Sequence, residues 1–410
     1  MDILRGIKTI FRRRPVGEAP AAPGTGATAP GAGRRPGRKA AVFMRHKLGR
    51  AGLYCLAALY LGAIFADFLA PYGMAESNEL AAYAAPTRIR LFHEGRFIGP
   101  FVYAKRQGRN PETYRLEYRE DNSTPYPLRF FSPGEPYKFL GIVPARTRLF
   151  TLGGATMEVE APEGYDEPPR VYEVPINLFG GDQFGRDLFS RILHGSRVSL
   201  SAGIVGTLLS VVIGAFVGAA SGYFGGLADT LIQRLIEILR SFPRIPLWLA
   251  LAMIIPPTWP STYLYFGIVI VLSFIGWMGV ARVVRGMALS LREKEFVLAA
   301  RSAGVRPLKI IRSHIIPNVA GYLIVVSTLS VPGMILGEST ISFLGLGVKE
   351  PMTSWGLLLK QAQSISALRS YPWLMLPGLF IMLAVLSYNF VGDALRDAFD
   401  PNGAVEKLEA

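Results

Sequence analysis

The stretch that decides the fold runs from Glu295 to Asn318 and reads EFVLAARSAGVRPLKIIRSHIIPN. It carries charged and small side chains between long apolar runs, so we expect it to lie outside a lipid bilayer. The part from Phe296 to Ala303 has helix-forming composition, Gly304 suits the left-handed end of a helix, and Pro307 suits the first turn of the next one. The sequence therefore predicts two short helices joined by an elbow at Gly304.

The first of these helices has the features of a docking surface. Ala299, Ala300 and Ala303 fall on neighbouring helical positions, where small side chains let another surface approach closely. The alanines are surrounded by four basic residues, Arg301, Arg306, Lys309 and Arg312. Arginine and lysine at such an edge favour binding to a partner protein.

Apolar runs of membrane-spanning length lie on both sides of the elbow. Half of the residues are hydrophobic and 18% are charged, a balance typical of polytopic membrane proteins. The runs predict an all-α membrane protein with six transmembrane helices, at residues 51–70, 198–228, 229–255, 263–280, 318–337 and 370–391.

The excess of positive charge lies mostly at the beginning of the chain. The formal net charge is +14, and twelve of the Lys and Arg residues fall within residues 1–50. Basic ends beside apolar spans follow the positive-inside rule, so this charge does not indicate nucleic acid binding. It predicts that both termini of a six-span chain are cytoplasmic.

The segment between the first two predicted spans differs from the rest in composition. Residues 71–180 are polar, aromatic and rich in Gly and Pro, with β-favouring residues between the turns, which predicts an inserted extracytoplasmic β-rich domain. The predicted domains are a basic tail (1–48), a first transmembrane helix (49–70), this insert (71–180), a membrane core (181–400) that includes the loop 292–317, and a short tail (401–410).

Three segments resemble one family of membrane proteins. Ala299-Ala300, Gly304, and His314-Ile315-Ile316-Pro317 after nine further residues are similar in spacing to the EAA coupling loop of bacterial ABC importer permeases. Leu298 stands where that pattern has Glu, and His314 where it has Ile. GGDQFGRDLFSRILHGSRVSLSAG (180–203) and SFLGLGVKEPMTSWG (342–356) resemble the dipeptide, oligopeptide and nickel branch of this family.

The resemblance implies a five-helix permease core preceded by an extra first helix, in the bacterial cytoplasmic membrane. The implied partners are a second homologous permease subunit, two ATPase subunits, an extracytoplasmic substrate-binding protein and a peptide substrate. ATP and Mg²⁺ would be held by the ATPase subunits, and this chain would bind no cofactor. The implied ATPase-coupling residues are Ala299, Ala300, Arg301, Gly304, His314 and Pro317.

Charged residues near the predicted spans leave several interpretations open. The candidates for gating or for the translocation path are Asp182, Arg186, Asp187, Arg191, Arg197 and Glu338. Asp187 and Arg191 are four residues apart and could instead form a structural salt bridge. Glu338 could contact a cationic group of the cargo or anchor a helix end, and Arg234, Glu237 and Arg240 could be functional or pair at the cytoplasmic interface.

Signals for catalysis are absent from the sequence. It contains no G-x-x-x-x-G-K-[ST] phosphate loop, so we do not expect the chain itself to hydrolyse ATP. The four histidines lack the spacing of a metal site, and no catalytic or metal-binding residue is predicted. Peptide is the favoured cargo; the alternatives are a nickel complex or other small solute, or a membrane-anchored scaffold whose insert is the functional part.

Overall fold

A computed structural model describes residues 37–109, 116–159 and 170–399 of the 410-residue chain. Within these ranges the chain is mainly helical, with strands confined to the segment between residues 90 and 173. The architecture is therefore that of a helical protein with a β-rich insert, in agreement with the sequence. Most of the predicted basic tail, residues 1–36, and the predicted final tail, 401–410, lie outside the described residues.

The helices fall into two groups along the chain. Those before the strands are α1 (Gly37–Arg45), α2 (Lys47–Ile64) and α3 (Ala66–Leu69). Those after the strands are α4 (Leu188–Phe224), α5 (Gly226–Ser241), α6 (Arg244–Ala252), α7 (Ser261–Leu291), α8 (Glu295–Ser302), α9 (Pro307–Ile310), α10 (Ile316–Asn318), α11 (Ala320–Phe343), α12 (Trp355–Leu359), α13 (Ile365–Ser370) and α14 (Leu376–Phe399). Single turns of 3₁₀-helix span Glu79–Ala81, Lys360–Ala362 and Pro372–Met375, and a π-helical turn spans Ile311–Ile315.

Helices α4 and α7 pack together along a line of glycines. A Cβ atom on Gly214, Gly218 or Gly222 would lie within 2.7 Å of the α7 backbone. These glycines are four residues apart and therefore share one face of α4. Small residues at this spacing let membrane helices approach closely. Inside a bilayer no hydrophobic force drives helices together, so their association depends on such close van der Waals packing.

Four of the described helical segments are long and apolar enough to cross a membrane: Leu188–Phe224, Ser261–Leu291, Ala320–Phe343 and Pro372–Phe399. The first and third predicted spans are not among them. The third is divided into α5 and α6 because Pro243 lacks a backbone N–H and the chain is extended at Phe242. The fifth extends to Phe343, so Glu338, which follows the predicted end of that span at residue 337, lies inside α11.

The insert consists of antiparallel pairs of strands. The strands are β1 (Arg90–His93), β2 (Arg96–Arg109), β3 (Leu116–Pro127), β4 (Arg129–Phe139), β5 (Val143–Thr151), β6 (Thr156–Val159) and β7 (Arg170–Glu173). They form a three-stranded sheet in the order β1-β2-β3 and two separate pairs, β4-β5 and β6-β7. The buried side chains of the insert include Val102, Phe150 and Ile176, and Phe189 of α4 packs against this cluster. The insert is thus packed onto the first turn of α4.

Candidate functional site

The elbow has the conformation that the sequence predicts. Gly304 has φ +73°, and the amide of Val305 donates to the carbonyl oxygen of Ala300 at 3.1 Å. This is the hydrogen-bond pattern of a helix that ends on a left-handed residue. Pro307 occupies the first turn of α9, where its missing N–H leaves no intrahelical bond unmade.

The elbow is attached rigidly to the ends of the long helices. Val297, Ile310, Ile311 and Ile315 are buried in one hydrophobic cluster with Ala219 of α4 and with Val284 and Ala288 of α7. A displacement of the elbow therefore has to move the ends of α4 and α7 or break this cluster. The expected coupling residues lie around it: Ala299, Arg301, Gly304 and Pro317 are exposed, and Ala300 and His314 are partly buried.

An open cleft of about 680 Å³ separates the elbow from the end of α4. Its lining includes Tyr223 and Phe224 on one side and Arg301 and Arg306 on the other. Exposed Leu298 also lines it, at the position where the resemblance places Glu. The cleft is accordingly lined mainly by basic and apolar side chains, together with Glu293.

Four charged side chains form a network at the opposite end of α4. Arg186 donates through Nε to Asp182 Oδ2 at 2.7 Å and through Nη1 to Glu350 Oε2 at 2.5 Å. Arg191, which is 1% exposed, donates to Asp182 Oδ2 and, at 2.7 Å, to Glu350 Oε1. The two guanidinium groups thus bridge the turn before α4 to the segment after α11, and Glu350 is a member that the sequence analysis did not single out.

Buried charge in this network is balanced by its partners. Burial alone would raise the pKa of the Asp182 carboxyl, but the guanidinium groups of Arg191 and Arg186 and the amides of Arg186 and Phe184 hold that pKa below its usual value. The network therefore favours the ionised form of Asp182. Such an ion-paired cluster can hold two segments together or release them as a unit.

Asp187 does not form the salt bridge with Arg191 that their spacing suggested. Its Oδ2 accepts instead from the amide and the hydroxyl of Ser190, at 2.8 and 2.6 Å, and so caps the N-terminus of α4. Burial raises the pKa of this carboxyl to about 7 against those hydrogen bonds. The salt-bridge prediction was wrong because Asp182 approaches Arg191 from outside the helix.

Arg197 pairs with Asp67 at the end of the first helix. Its Nη2 lies 2.8 Å from Asp67 Oδ2, and His194 Nε2 lies 3.2 Å from Asp67 Oδ1. Arg197 therefore joins α4 to α3, away from the Asp182 network. The sequence signal for this contact was Asp67 itself, a carboxylate at the end of a predicted span that needs a partner.

Glu338 is fully buried between helices. Its carboxylate accepts from the hydroxyl groups of Ser199 at 3.0 Å and Ser342 at 2.7 Å. Ser199 Oγ in turn accepts from the amide of Trp355 at 3.1 Å. In this conformation Glu338 ties α11 to α4 and to the start of α12, which fits the interpretation of an anchor.

Two charged contacts lie near the elbow end of the long helices. Arg285 donates to both carboxylate oxygens of Asp229, at 2.5 and 2.6 Å, and joins α7 to α5; no sequence pattern indicated this pair. Arg234 and Glu237 pair at 2.9 Å on the exposed surface of α5. Among the described residues, no group of His, Cys, Asp and Glu is arranged to hold a metal ion.

Two family models match this chain. A family model described as "Binding-protein-dependent transport system inner membrane component" matches residues 210–403, and one described as "N-terminal TM domain of oligopeptide transport permease C" matches residues 37–86.

Three curated relatives show the extent of the similarity. The chain is 47% identical to the oligopeptide transport system permease protein OppC of Haemophilus influenzae over 226 residues, which is 55% of this chain and 70% of the relative. It is 38% identical to the dipeptide transport system permease protein DppC of Bacillus subtilis over 224 residues, or 54% and 68% of the two chains. It is 42% identical to OppC of Escherichia coli over 226 residues, or 55% and 72%. The chain belongs to the family of binding-protein-dependent transport system inner membrane components.

Proposed function

We propose that this chain is the membrane-spanning permease subunit of an ATP-driven importer of dipeptides or oligopeptides. The observation that carries the proposal is the Gly304 elbow, which presents the coupling-loop spacing on helices packed firmly against α4 and α7. Relatives named as oligopeptide and dipeptide permeases support the choice of peptide as cargo.

The partners of the proposal follow from the same role. A second homologous permease subunit would complete the translocation path, and two ATPase subunits holding ATP and Mg²⁺ would bind the elbow. An extracytoplasmic binding protein would deliver the peptide. The chain would hydrolyse no ATP and bind no cofactor itself.

The proposed topology has six spans, with both termini in the cytoplasm. Helices α2 and α3 would form the first span, and the divided pair α5 and α6 the third. The 37 residues of α4 extend for about 55 Å at the helical rise, more than the roughly 30 Å of a bilayer core. The elbow and the Asp182 network would thus lie on opposite sides of the membrane, with the network and the insert outside.

The geometry suggests how a conformational change driven by ATP would be transmitted from the elbow to the outer face. Closure of the two ATPase subunits would displace the elbow, and the buried cluster around Ile310 and Ile311 would transmit this to α4 and α7 as rigid bodies. At the far end of α4, Arg191 connects the helix to Asp182 and Glu350. Movement of α4 would then strain or release this network and change the opening at the outer face.

Purification of the chain from solubilised membranes, followed by reconstitution with its partners, tests the proposal. We expect two ATPases, a second permease and a peptide-loaded binding protein to co-purify, and peptide uptake to depend on ATP. Uptake of a nickel complex in place of peptide would contradict the assignment of peptide as the cargo. Recovery of the chain alone, or only with proteins held by residues 71–180, would favour the scaffold alternative.

A further inference from the structure

The β4–β5 hairpin lies alongside the end of the first helix. Near its base, Arg148 Nη1 donates to the carbonyl oxygen of Ala70 at 2.8 Å. At about the same level on β4, next to the Ser132 that pairs with Arg148, the ring of Phe131 lies 6.1 Å from that of Phe68. The hairpin is therefore held against α3 by contacts on β4 and β5.

The turn of the hairpin reaches back toward the middle of the helix. The amide of Leu140 donates to Asp67 Oδ2 at 3.2 Å, and the ring of Phe139 lies 5.7 Å from that of Phe65. Phe65 precedes Ala70 by five positions, so the hairpin extends about 7 Å along the helix from base to turn. The hairpin therefore runs from the C-terminal end of α3 toward the C-terminal end of α2.

The side chains at this turn are apolar and unusually exposed. Ile142 is 81%, Val143 55% and Leu140 49% exposed. Leu140 also has φ +50°, a backbone conformation that is unfavourable for a bulky residue. The turn thus places leucine where asparagine or glycine would be easier to accommodate, and leaves its side chain uncovered by the described part of the chain.

The level of the turn relative to a bilayer follows from the first helix. Arg50 is its last charged residue before Asp67, and about 22 Å of helix separate Arg50 from Phe65. A hydrocarbon core is roughly 30 Å thick, so Phe65 and the hairpin turn beside it fall in its outer part. Exposed Lys138 lies next to the turn, where an amine can reach lipid headgroups.

We propose that the β4–β5 turn, Leu140 to Val143, inserts into the outer leaflet of the membrane and anchors the insert to the lipid surface beside the first helix. The occupant of this apolar surface is lipid acyl chain, because the surface is continuous with exposed Ile64 and Phe65 on the helix. The depth of insertion matches that of interfacial segments, about 5–10 Å. The inference rests on the proposed topology, in which the insert is extracytoplasmic.

Site-directed nitroxide labelling tests this insertion in the full chain reconstituted with its partners in lipid vesicles. Cys55 is the only cysteine in the sequence, so Cys55→Ser gives a background for single labels. Labels at Ile142→Cys, at Phe97→Cys on the β1–β2 hairpin and at Leu208→Cys in α4 replace exposed side chains and should preserve folding. The measured quantity is the collision rate of each label with oxygen, which partitions into lipid, and with a water-soluble nickel chelate.

We expect the Ile142 label to resemble the Leu208 label, with oxygen collisions dominant, and the Phe97 label to show the reverse. If Leu208 reports lipid but Ile142 reports water, the insertion is wrong while the membrane topology stands. Shielding of Ile142 from both reagents would also overturn it and would indicate a protein partner. If Leu208 reports water, the proposed topology fails together with the inference.

Discussion

Arg197 holds Asp67 in a two-pronged ion pair, with Nη1–Oδ1 at 3.1 Å and Nη2–Oδ2 at 2.8 Å. The same guanidinium donates to the carbonyl oxygens of Ala63 and Ile64, at 2.7 and 3.0 Å. It therefore neutralises a carboxylate near the membrane and satisfies the last carbonyls of α2 at once. This contact explains how an aspartate is tolerated at the end of the first helix.

Loss of Arg197 should destabilise the protein more than loss of Asp67. Arg197→Ala removes the main positive partner of the Asp67 carboxylate. Allowing for partial screening by solvent, we expect the free energy of unfolding to fall by about 1–3 kcal/mol. Asp67→Asn leaves the guanidinium its two carbonyl partners and should cost less. Thermal unfolding in detergent measures both variants; equal losses would show that the carbonyl contacts do not matter.

The two carboxylates of the outer network should differ in importance. Asp182 is fully buried, so Asp182→Asn should lower the free energy of unfolding by about 3 kcal/mol or more. The Glu350 side chain is 48% exposed, and Glu350→Gln should cost less than about 1 kcal/mol.

These variants also separate a structural from a gating role for the network. If it gates, Glu350→Gln will change ATP-driven uptake at unchanged stability and abundance. Unaltered uptake by this variant would leave only the structural role.

Asp187 should make stability depend on pH. Its folded-state pKa of about 7 lies above the usual aspartate value, so the folded protein binds the proton more tightly than the unfolded chain. The stabilising contribution is complete below about pH 4 and is lost as the pH rises toward 7. Asp187→Asn retains the cap and should remove this dependence; parallel pH profiles of thermal unfolding for wild type and variant would contradict it.

Gly304 separates backbone strain from steric contact. No described atom lies within 4 Å of a Cβ placed at Gly304, but its φ is +73°. Substitution by Ala or Leu should therefore lower the free energy of unfolding by a similar amount, about 1–2 kcal/mol, and substitution by Asn by less. We further expect Gly304→Leu, at wild-type abundance, to uncouple ATP hydrolysis from uptake because the larger side chain meets the partner ATPase. Coupled uptake in Gly304→Leu equal to that of Gly304→Ala would rule out this contact.

Glu338 should act on assembly of the helices rather than on cargo choice. Glu338→Ala leaves the hydroxyl groups of Ser199 and Ser342 without their acceptor in a buried site, at a cost of about 2–4 kcal/mol. Membrane abundance should therefore fall while the relative uptake of cationic and neutral peptides is unchanged. A selective loss of cationic peptides at normal abundance would restore the cargo-binding interpretation.

The elbow was predictable because its determinants are local. Gly304, Pro307 and the helix between Glu295 and Ser302 follow from backbone preferences that operate over a few residues. The long apolar helices follow from composition in the same way. Pro243 was a visible signal for the break in the third predicted span, but the apolar run that follows it, up to Ile255, outweighed that signal.

The charged contacts were decided only by the tertiary structure. Asp67 and Arg197 are separated by 130 positions, and Arg191 and Glu350 by 159. Sequence spacing offered Arg191 the nearer carboxylate of Asp187, yet the fold turned that group to the helix N-terminus and supplied Asp182 and Glu350 instead. The sequence by itself determined which segments are helical or extended and where the elbow bends. Which charges meet depended on the packing of distant segments, because a buried charge takes whichever partner the folded chain brings within hydrogen-bonding distance.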